Sequence, residues 1–210
     1  MKPKLKKVTN LIIIDASGSM SSKKEEVIGG LKQLFELIRS TKSVKQRTVV
    51  LDFSGAKDVR VLVDTDQNPE DLLAEGYSVR GMTALYDAIG YGFSLVEKDK
   101  NVFVNILTDG DENDSKEYKY SDIKDLITTK QKEKNWVVTF MGTTIDSIER
   151  AKSMGVHSGN TTFFADNGSG VSKSRGISNK AYANYASSLT SGSNISLSTL
   201  MQDAEKEVEK

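Results

Sequence analysis

The sequence predicts a doubly wound α/β fold: a mostly parallel central sheet of about six strands, one antiparallel edge strand, and helices on both faces. Three observations predict it. Short runs that are apolar and β-branched throughout recur along the chain, as in strands buried on both faces. Segments with helical apolar spacing separate most of these runs, which makes the connections right-handed crossovers. One pair of runs has too few intervening residues for a crossover and must be an antiparallel hairpin.

A chain of 210 residues, 37 % of them hydrophobic, fits one domain of above-average size, or a domain with an appendage, and can bury a real core. Its 29 Lys and Arg balance its 29 Asp and Glu, so there is no global field to draw it to nucleic acid or an anionic membrane, and neither is expected as a partner. Met1 to Lys7 is basic but short, and no apolar run of signal-peptide or spanning length follows. The absence of cysteine excludes disulfides, thiol nucleophiles and zinc–thiolate sites, and suits a reducing cytosol. Lysine outnumbers arginine, which hints at a microbial source.

The first strand is Asn10 to Asp15, broken by a Ser/Gly cluster. Ser22 and Glu25 have capping-box spacing, and Val27, Ile28, Leu31, Leu34, Phe35 and Ile38 then form one helical stripe to about Arg39. Thr48–Phe53 and Val59–Val63 are the hairpin, its second member at the sheet edge. After a short helix near Pro69 to Ala74 come Gly81-Met82-Thr83, a periodic helix from Ala84 to Val96, and a buried strand Val102–Leu107 ending at Thr108-Asp109-Gly110. A polar helix from about Ser121 to Lys134, a strand Trp136–Met141, a helix Ile145–Met154 and a short strand Thr161–Phe164 complete residues 1–166 as one domain. Residues 167–210 form a Ser/Gly/Asn-rich extension with one helical stretch, Ile177–Leu189, and a charged tail from Leu197 that frays without a partner.

In an open parallel sheet, ligands bind where loops leave the carboxyl ends of the strands at the point of order reversal. Asp15 ends the first strand, Ser17 and Ser19 lie in its exit loop, Asp109 ends the third parallel strand, and Thr83 precedes a helix. This is a hard oxygen set without sulfur or imidazole, suited to Mg²⁺, Mn²⁺ or Ca²⁺ rather than zinc or copper. Magnesium is the default in a cytosol, and because it retains several waters a few side-chain oxygens suffice.

Asp15-Ala16-Ser17-Gly18-Ser19 resembles the Asp-x-Ser-x-Ser opening of the metal-ion-dependent adhesion site of von Willebrand factor A (vWA) domains. Gly81-Met82-Thr83 resembles that family's threonine loop, and Thr108-Asp109-Gly110 its Thr-Asp-Gly segment. The likeness spans Thr9 to Phe164, and residues beyond Asn167 inherit nothing from it. It implies that Ser17 and Ser19 coordinate the metal directly, Thr83 directly or through water, and Asp15 and Asp109 largely through water. It further implies a non-catalytic adaptor of the stand-alone cytosolic type found in bacteria and phages, in which a Glu or Asp of a partner protein completes the cation's shell. Oligomeric state is left open.

Each feature also has a plainer reading. Gly18, Gly81 and Gly110 serve turn geometry as well as close approach of a ligand. Asp87 either orients the threonine loop or caps a helix. Asp111, Glu112 and Asp114 read as a solvated acidic loop rather than a second calcium site, since EF-hand spacing is missing. His157, the only histidine, falls at the opposite edge of the sheet from Asp15, roughly 17 Å away, which argues against catalysis. Trp136 reads as core, and Tyr182 and Tyr185 as packing for the extension. The alternative function is a metal-dependent hydrolase using metal-bound water. Against it stand the lack of a histidine within reach, of a nearby lysine and of a phosphate loop. A third possibility is a cation that only staples the sheet, and the segment beyond Asn167 is expected to be the one that moves on binding.

Overall fold

The computed structural model describes residues 5–67, 76–109, 111–133, 135–163, 168–191 and 195–208, with the α5 side chains described from 173 onward apart from 175. The helix expected near Pro69 to Ala74 and the turn glycine Gly110 lie outside the described residues. The strands are β1 (Lys7–Asp15), β2 (Lys45–Phe53), β3 (Val59–Thr65), β4 (Val102–Thr108), β5 (Trp136–Gly142) and β6 (Thr161–Phe163). They form one six-stranded sheet in the order β3-β2-β1-β4-β5-β6. Every pairing is parallel except β2 with β3, the antiparallel hairpin at one edge.

The helices are α1 (Lys24–Ser40), α2 (Leu85–Val96), α3 (Tyr120–Lys132), α4 (Ile145–Ser153), α5 (Gly168–Ser191) and α6 (Leu200–Val208). Side chains alternate across a strand, and β1 shows how that sorts the core. Val8, Ile12 and Ile14 point to a layer shared with α1, α5 and α6, while Leu11 and Ile13 point to a layer shared with α2, α3 and α4. Both faces are covered, which is why the strand sequences read as unbroken apolar runs. Trp136 lies in the second layer, its indole N–H donating to the Asp99 carbonyl at 3.0 Å.

Three local expectations give way to tertiary structure. The Ser22/Glu25 capping box is not formed: a 3₁₀ turn, Gly18–Lys23, runs directly into α1, whose N-cap is Lys23 without a side-chain cap. The helix of the extension begins at Gly168 rather than Ile177. Its Ser- and Gly-rich composition is a poor helix former, so the helix depends on packing. Ile177, Ala181, Tyr182, Tyr185, Ala186 and Leu189 make a buried stripe. Phe103 of β4 meets the rings of Tyr182 and Tyr185 at centroid distances of 5.5 and 5.4 Å. The Tyr185 hydroxyl donates to the Asn135 carbonyl at 2.7 Å, and that of Tyr182 bonds Gln46. The charged tail does not fray: Leu200, Met201 and Ala204 of α6 are buried in the same layer. Among the described residues, no helix is long and apolar enough to cross a membrane.

Because α5 covers β4 from the α1 side, Tyr185→Ala should lower unfolding free energy by about 3–5 kcal/mol, the usual cost of truncating a buried aromatic. Equilibrium urea unfolding measures this. A loss below about 1 kcal/mol would mean that α5 rests on the sheet without supporting it.

Candidate functional site

The strand order reverses between β1 and β4, so their exit loops part and leave a crevice at the carboxyl edge. Asp15 is fully buried there. Its Oδ1 accepts the Ser17 N–H at 2.7 Å and its Oδ2 accepts the Thr108 hydroxyl at 2.6 Å. The first bond is an Asx turn, in which a carboxylate takes the amide two residues on and bends the chain out of the strand. Tyr77 fixes the same residue from behind, its hydroxyl donating to the Asp15 carbonyl at 2.7 Å.

The bend presents the two serines. Ser17 Oγ and Ser19 Oγ lie 3.1 Å apart, and Ser19 donates to Asp109 Oδ1 at 2.6 Å. Lys23 Nζ sits 2.8 Å from Asp109 Oδ2, with the lysine side chain 14 % exposed and the aspartate 3 %. Lys23 is four residues after Ser19 along the 3₁₀ turn, so both reach toward the same carboxylate. The expectation that no lysine is near the site is therefore corrected. The available signal is its closeness to Ser19 in sequence.

Asp15, Ser17, Ser19 and Asp109 thus form one hydrogen-bonded set, and Thr83 joins them through its loop. Gly18 N–H donates to the Gly81 carbonyl at 3.1 Å, and Arg80 N–H to the Ala16 carbonyl at 2.6 Å. Residues 80–84 have no regular structure, so their backbone groups need other partners. Ser54 supplies two, its hydroxyl donating to the Met82 carbonyl at 3.2 Å and its carbonyl accepting Ala84 N–H at 2.7 Å. The Arg80 side chain bonds Asp52 and Asp58, anchoring the loop to the β2–β3 hairpin. Thr83 N–H donates to Asn113 Oδ1 at 2.9 Å, and the Thr83 carbonyl accepts the N–H groups of Asn113 and Asp114 at 3.0 and 3.2 Å.

The acidic run after Asp109 is exposed at Asp111 and Asn113 and half-buried at Glu112 and Asp114, and hydrogen bonds order it. Glu112 accepts from the amides of Tyr86, Asp114 and Ser115, and Asp114 from that of Ala56. Asp111 pairs with Arg150 at 2.5 Å. Asp87, in the first turn of α2, accepts the N–H groups of Lys116, Glu117 and Tyr118 at 2.9–3.0 Å, so what it holds is the segment leading into α3 rather than the threonine loop. Gly90 is required by the same contact: a Cβ there would lie 2.5 Å from the Tyr118 ring.

Among the described residues, no three His, Cys, Asp or Glu side chains cluster to hold a metal. The set gathered here is mixed hydroxyl and carboxylate, the chemistry of a hard cation. The 3.1 Å between the serine oxygens is close to the roughly 3.0 Å that separates adjacent ligands around six-coordinate Mg²⁺. His157 is exposed and precedes β6, which lies three strand spacings from β1, about 14 Å.

Burial pushes the Asp15 carboxyl above the usual carboxylate range, and nearby Asp109 adds to this, while bonds from Ser17 and Thr108 oppose it. A carboxyl whose native value is raised binds its proton more tightly folded than unfolded. Its contribution to stability therefore falls as the pH rises from the ordinary aspartate range through the native value. In EDTA at pH 7, Asp15→Asn should melt above wild type, because the amide carries no charge to desolvate. A thermal scan giving equal or lower melting would show that the two hydrogen bonds outweigh the burial.

This crevice on this strand order, with its one antiparallel edge, is the Rossmann-like fold of vWA domains. No protein-family model matches the chain, and no curated protein matches it. Solved structures do. The PilB minor pilin from Streptococcus sanguinis aligns with a TM-score of 0.61 at 12 % identity, over 91 % of this chain and 63 % of the pilin. Proximal thread matrix protein 1 from the mussel byssus, with a zinc-occupied MIDAS motif, gives 0.53 at 14 % identity, over 76 % of this chain and 41 % of that one. The ArnB paralog VWA2 from Sulfolobus acidocaldarius gives 0.50 at 19 % identity, over 77 % and 41 %. At these identities the likeness shows the fold. The chain spans less than two thirds of each neighbour's length.

Proposed function

We propose that the chain is a divalent-cation-dependent protein-interaction module, a cytosolic adaptor whose crevice binds an acidic side chain of a partner. The observation that carries this reading is the convergence of the Ser17 and Ser19 hydroxyls with the Asp15 and Asp109 carboxylates at the carboxyl edge of the sheet. Ser17, Ser19 and Thr83 would hold Mg²⁺, or Mn²⁺ or Ca²⁺, with Asp15 and Asp109 acting largely through water. The zinc-occupied motif of the byssus protein supports a divalent cation in this fold. A dication held directly by neutral hydroxyls, with the two carboxylates acting through water, would stay electrophilic toward a partner's Glu or Asp.

The chain's own residues prepare that encounter. Asp15 is held by neutral donors, so its charge remains available to a cation. Ser19 is exposed, which puts the open side of the set toward a partner. The reading is non-catalytic, because the carboxylates that a hydrolase would use as general base are bonded to Ser17, Thr108, Ser19 and Lys23.

A pull-down from source lysate with wild type and Ser17→Ala/Ser19→Ala, each in Mg²⁺ and in EDTA, tests the proposal. The expected result is a partner retained only by wild type in Mg²⁺. Thermal scans should show wild type stabilised by about 2.7 kcal/mol at a Mg²⁺ concentration a hundredfold above Kd, with no such shift in the double variant. Retention indifferent to metal and mutation would overturn the reading. Phosphatase or esterase turnover lost in Asp15→Ala would favour the hydrolase.

A further inference from the structure

We propose that Asn113 is a positioning residue for Thr83, so that the loop that follows Asp109 also sets the direction of the Thr83 side chain. The inference rests on the cation-site reading above and adds to it a residue that is not itself a ligand.

Thr83 is 3 % exposed and lies in an irregular segment, so its backbone cannot turn to solvent for hydrogen bonds. All three bonds to that backbone come from two consecutive residues. Asn113 accepts the amide through Oδ1 at 2.9 Å, and the amides of Asn113 and Asp114 converge on the carbonyl at 3.0 and 3.2 Å. With both ends of the residue fixed, the Thr83 Cα–Cβ direction is fixed. Only the Oδ1 bond depends on the side chain at position 113. The other two survive substitution.

Asn113 does this because its own loop is anchored elsewhere. Glu112 ties it to the Tyr86 amide at 3.0 Å and Asp114 ties it to the Ala56 amide at 2.8 Å. Asp87 holds the amides of residues 116–118. Both Glu112 and Asp87 place negative charge at the N-terminus of α2, where it is stabilised. Asn113 is four residues after Asp109. One short loop therefore carries the Asp109 carboxylate at its start and the clamp on Thr83 further on. A change at position 113 should be felt in cation affinity with the sheet unaltered.

Mg²⁺ binding by calorimetry on the full chain tests this with Asn113→Ala, Asn113→Asp, Thr83→Ala and the Asn113→Ala/Thr83→Ala pair. Asn113→Ala should weaken Kd by about three- to tenfold, the worth of one net hydrogen bond. Asn113→Asp keeps the acceptor and should return Kd to within about twofold of wild type. In the Thr83→Ala background, Asn113→Ala should add nothing, because its effect is routed through the missing hydroxyl. An unchanged Kd for Asn113→Ala, or a full penalty persisting without the Thr83 hydroxyl, would overturn the inference. A metal-free readout separates it from the site reading. Amide exchange in EDTA should speed up at Thr83 in Asn113→Ala while β1 and β4 keep their protection. If wild type binds no Mg²⁺, the cation site fails and the inference with it. Unchanged exchange at Thr83 would sink the clamp alone.

Discussion

A carboxylate buried at the end of a central strand has few ways to meet its charge, and Asp15 constrains the rest of the molecule for that reason. β1 has parallel neighbours on both sides and covered faces above and below, so Asp15 can look only toward the crevice beyond the strand end. The donors it finds there are neutral, an amide and a hydroxyl, and the next charged group across the crevice is another carboxylate, Asp109. Neutral donors stabilise a buried anion incompletely. Lys23 lies against Asp109 rather than Asp15. The local excess of negative charge that remains makes the edge receptive to a cation, and the exit loops are shaped around it.

The strands are legible in the sequence because burial on both faces writes the same message at every residue, as in Leu11 to Ile14. The β2–β3 hairpin is legible because the five residues between Phe53 and Val59 leave room for nothing else. Residues 168–191 are the opposite case. Their Ser and Gly content argues against a long helix, and only the contacts of Tyr182 and Tyr185 with Phe103, far away in sequence, provide the burial that makes one. Ser22 and Glu25 mislead in the other direction. Their spacing is right, but Ser22 lies inside a 3₁₀ turn that the Ser17–Ser19 geometry extends into α1, so there is no free helix start to cap.

The site divides in the same way. The hydroxyl and carboxylate side chains that gather at the strand ends can be read from Asp15 to Ser19 and from Thr108 and Asp109. The clamp on Thr83 cannot, since it is built from side chain to backbone bonds thirty residues apart, and a backbone amide looks the same in every residue. The acidic stretch Asp111 to Asp114 shows the consequence. Its composition describes a solvated loop, and it is exposed in part, but composition does not show that Glu112 accepts the Tyr86 amide and Asp114 that of Ala56. Lys23 was within reach, only four residues beyond Ser19 at the end of the 3₁₀ turn.

An irregular loop at a strand end is ordinarily a mobile element, and mobility would oppose the cation site proposed for this crevice, which would depend on hydroxyl oxygens. A serine or threonine oxygen carries no net charge and binds a cation weakly alone, so affinity must come from several oxygens held at the right separation before the cation arrives. Each bond that pins residues 80–84, from Arg80 to Ala16, Met82 to Ser54 and Thr83 to Asn113, removes freedom that binding would otherwise have to remove. Charged ligands would need less of this order, but they would also neutralise the cation and leave nothing for a partner's carboxylate. Weak ligands and a strongly constrained frame are therefore one solution, and the dense hydrogen bonding around Thr83 is the part of it supplied by the fold.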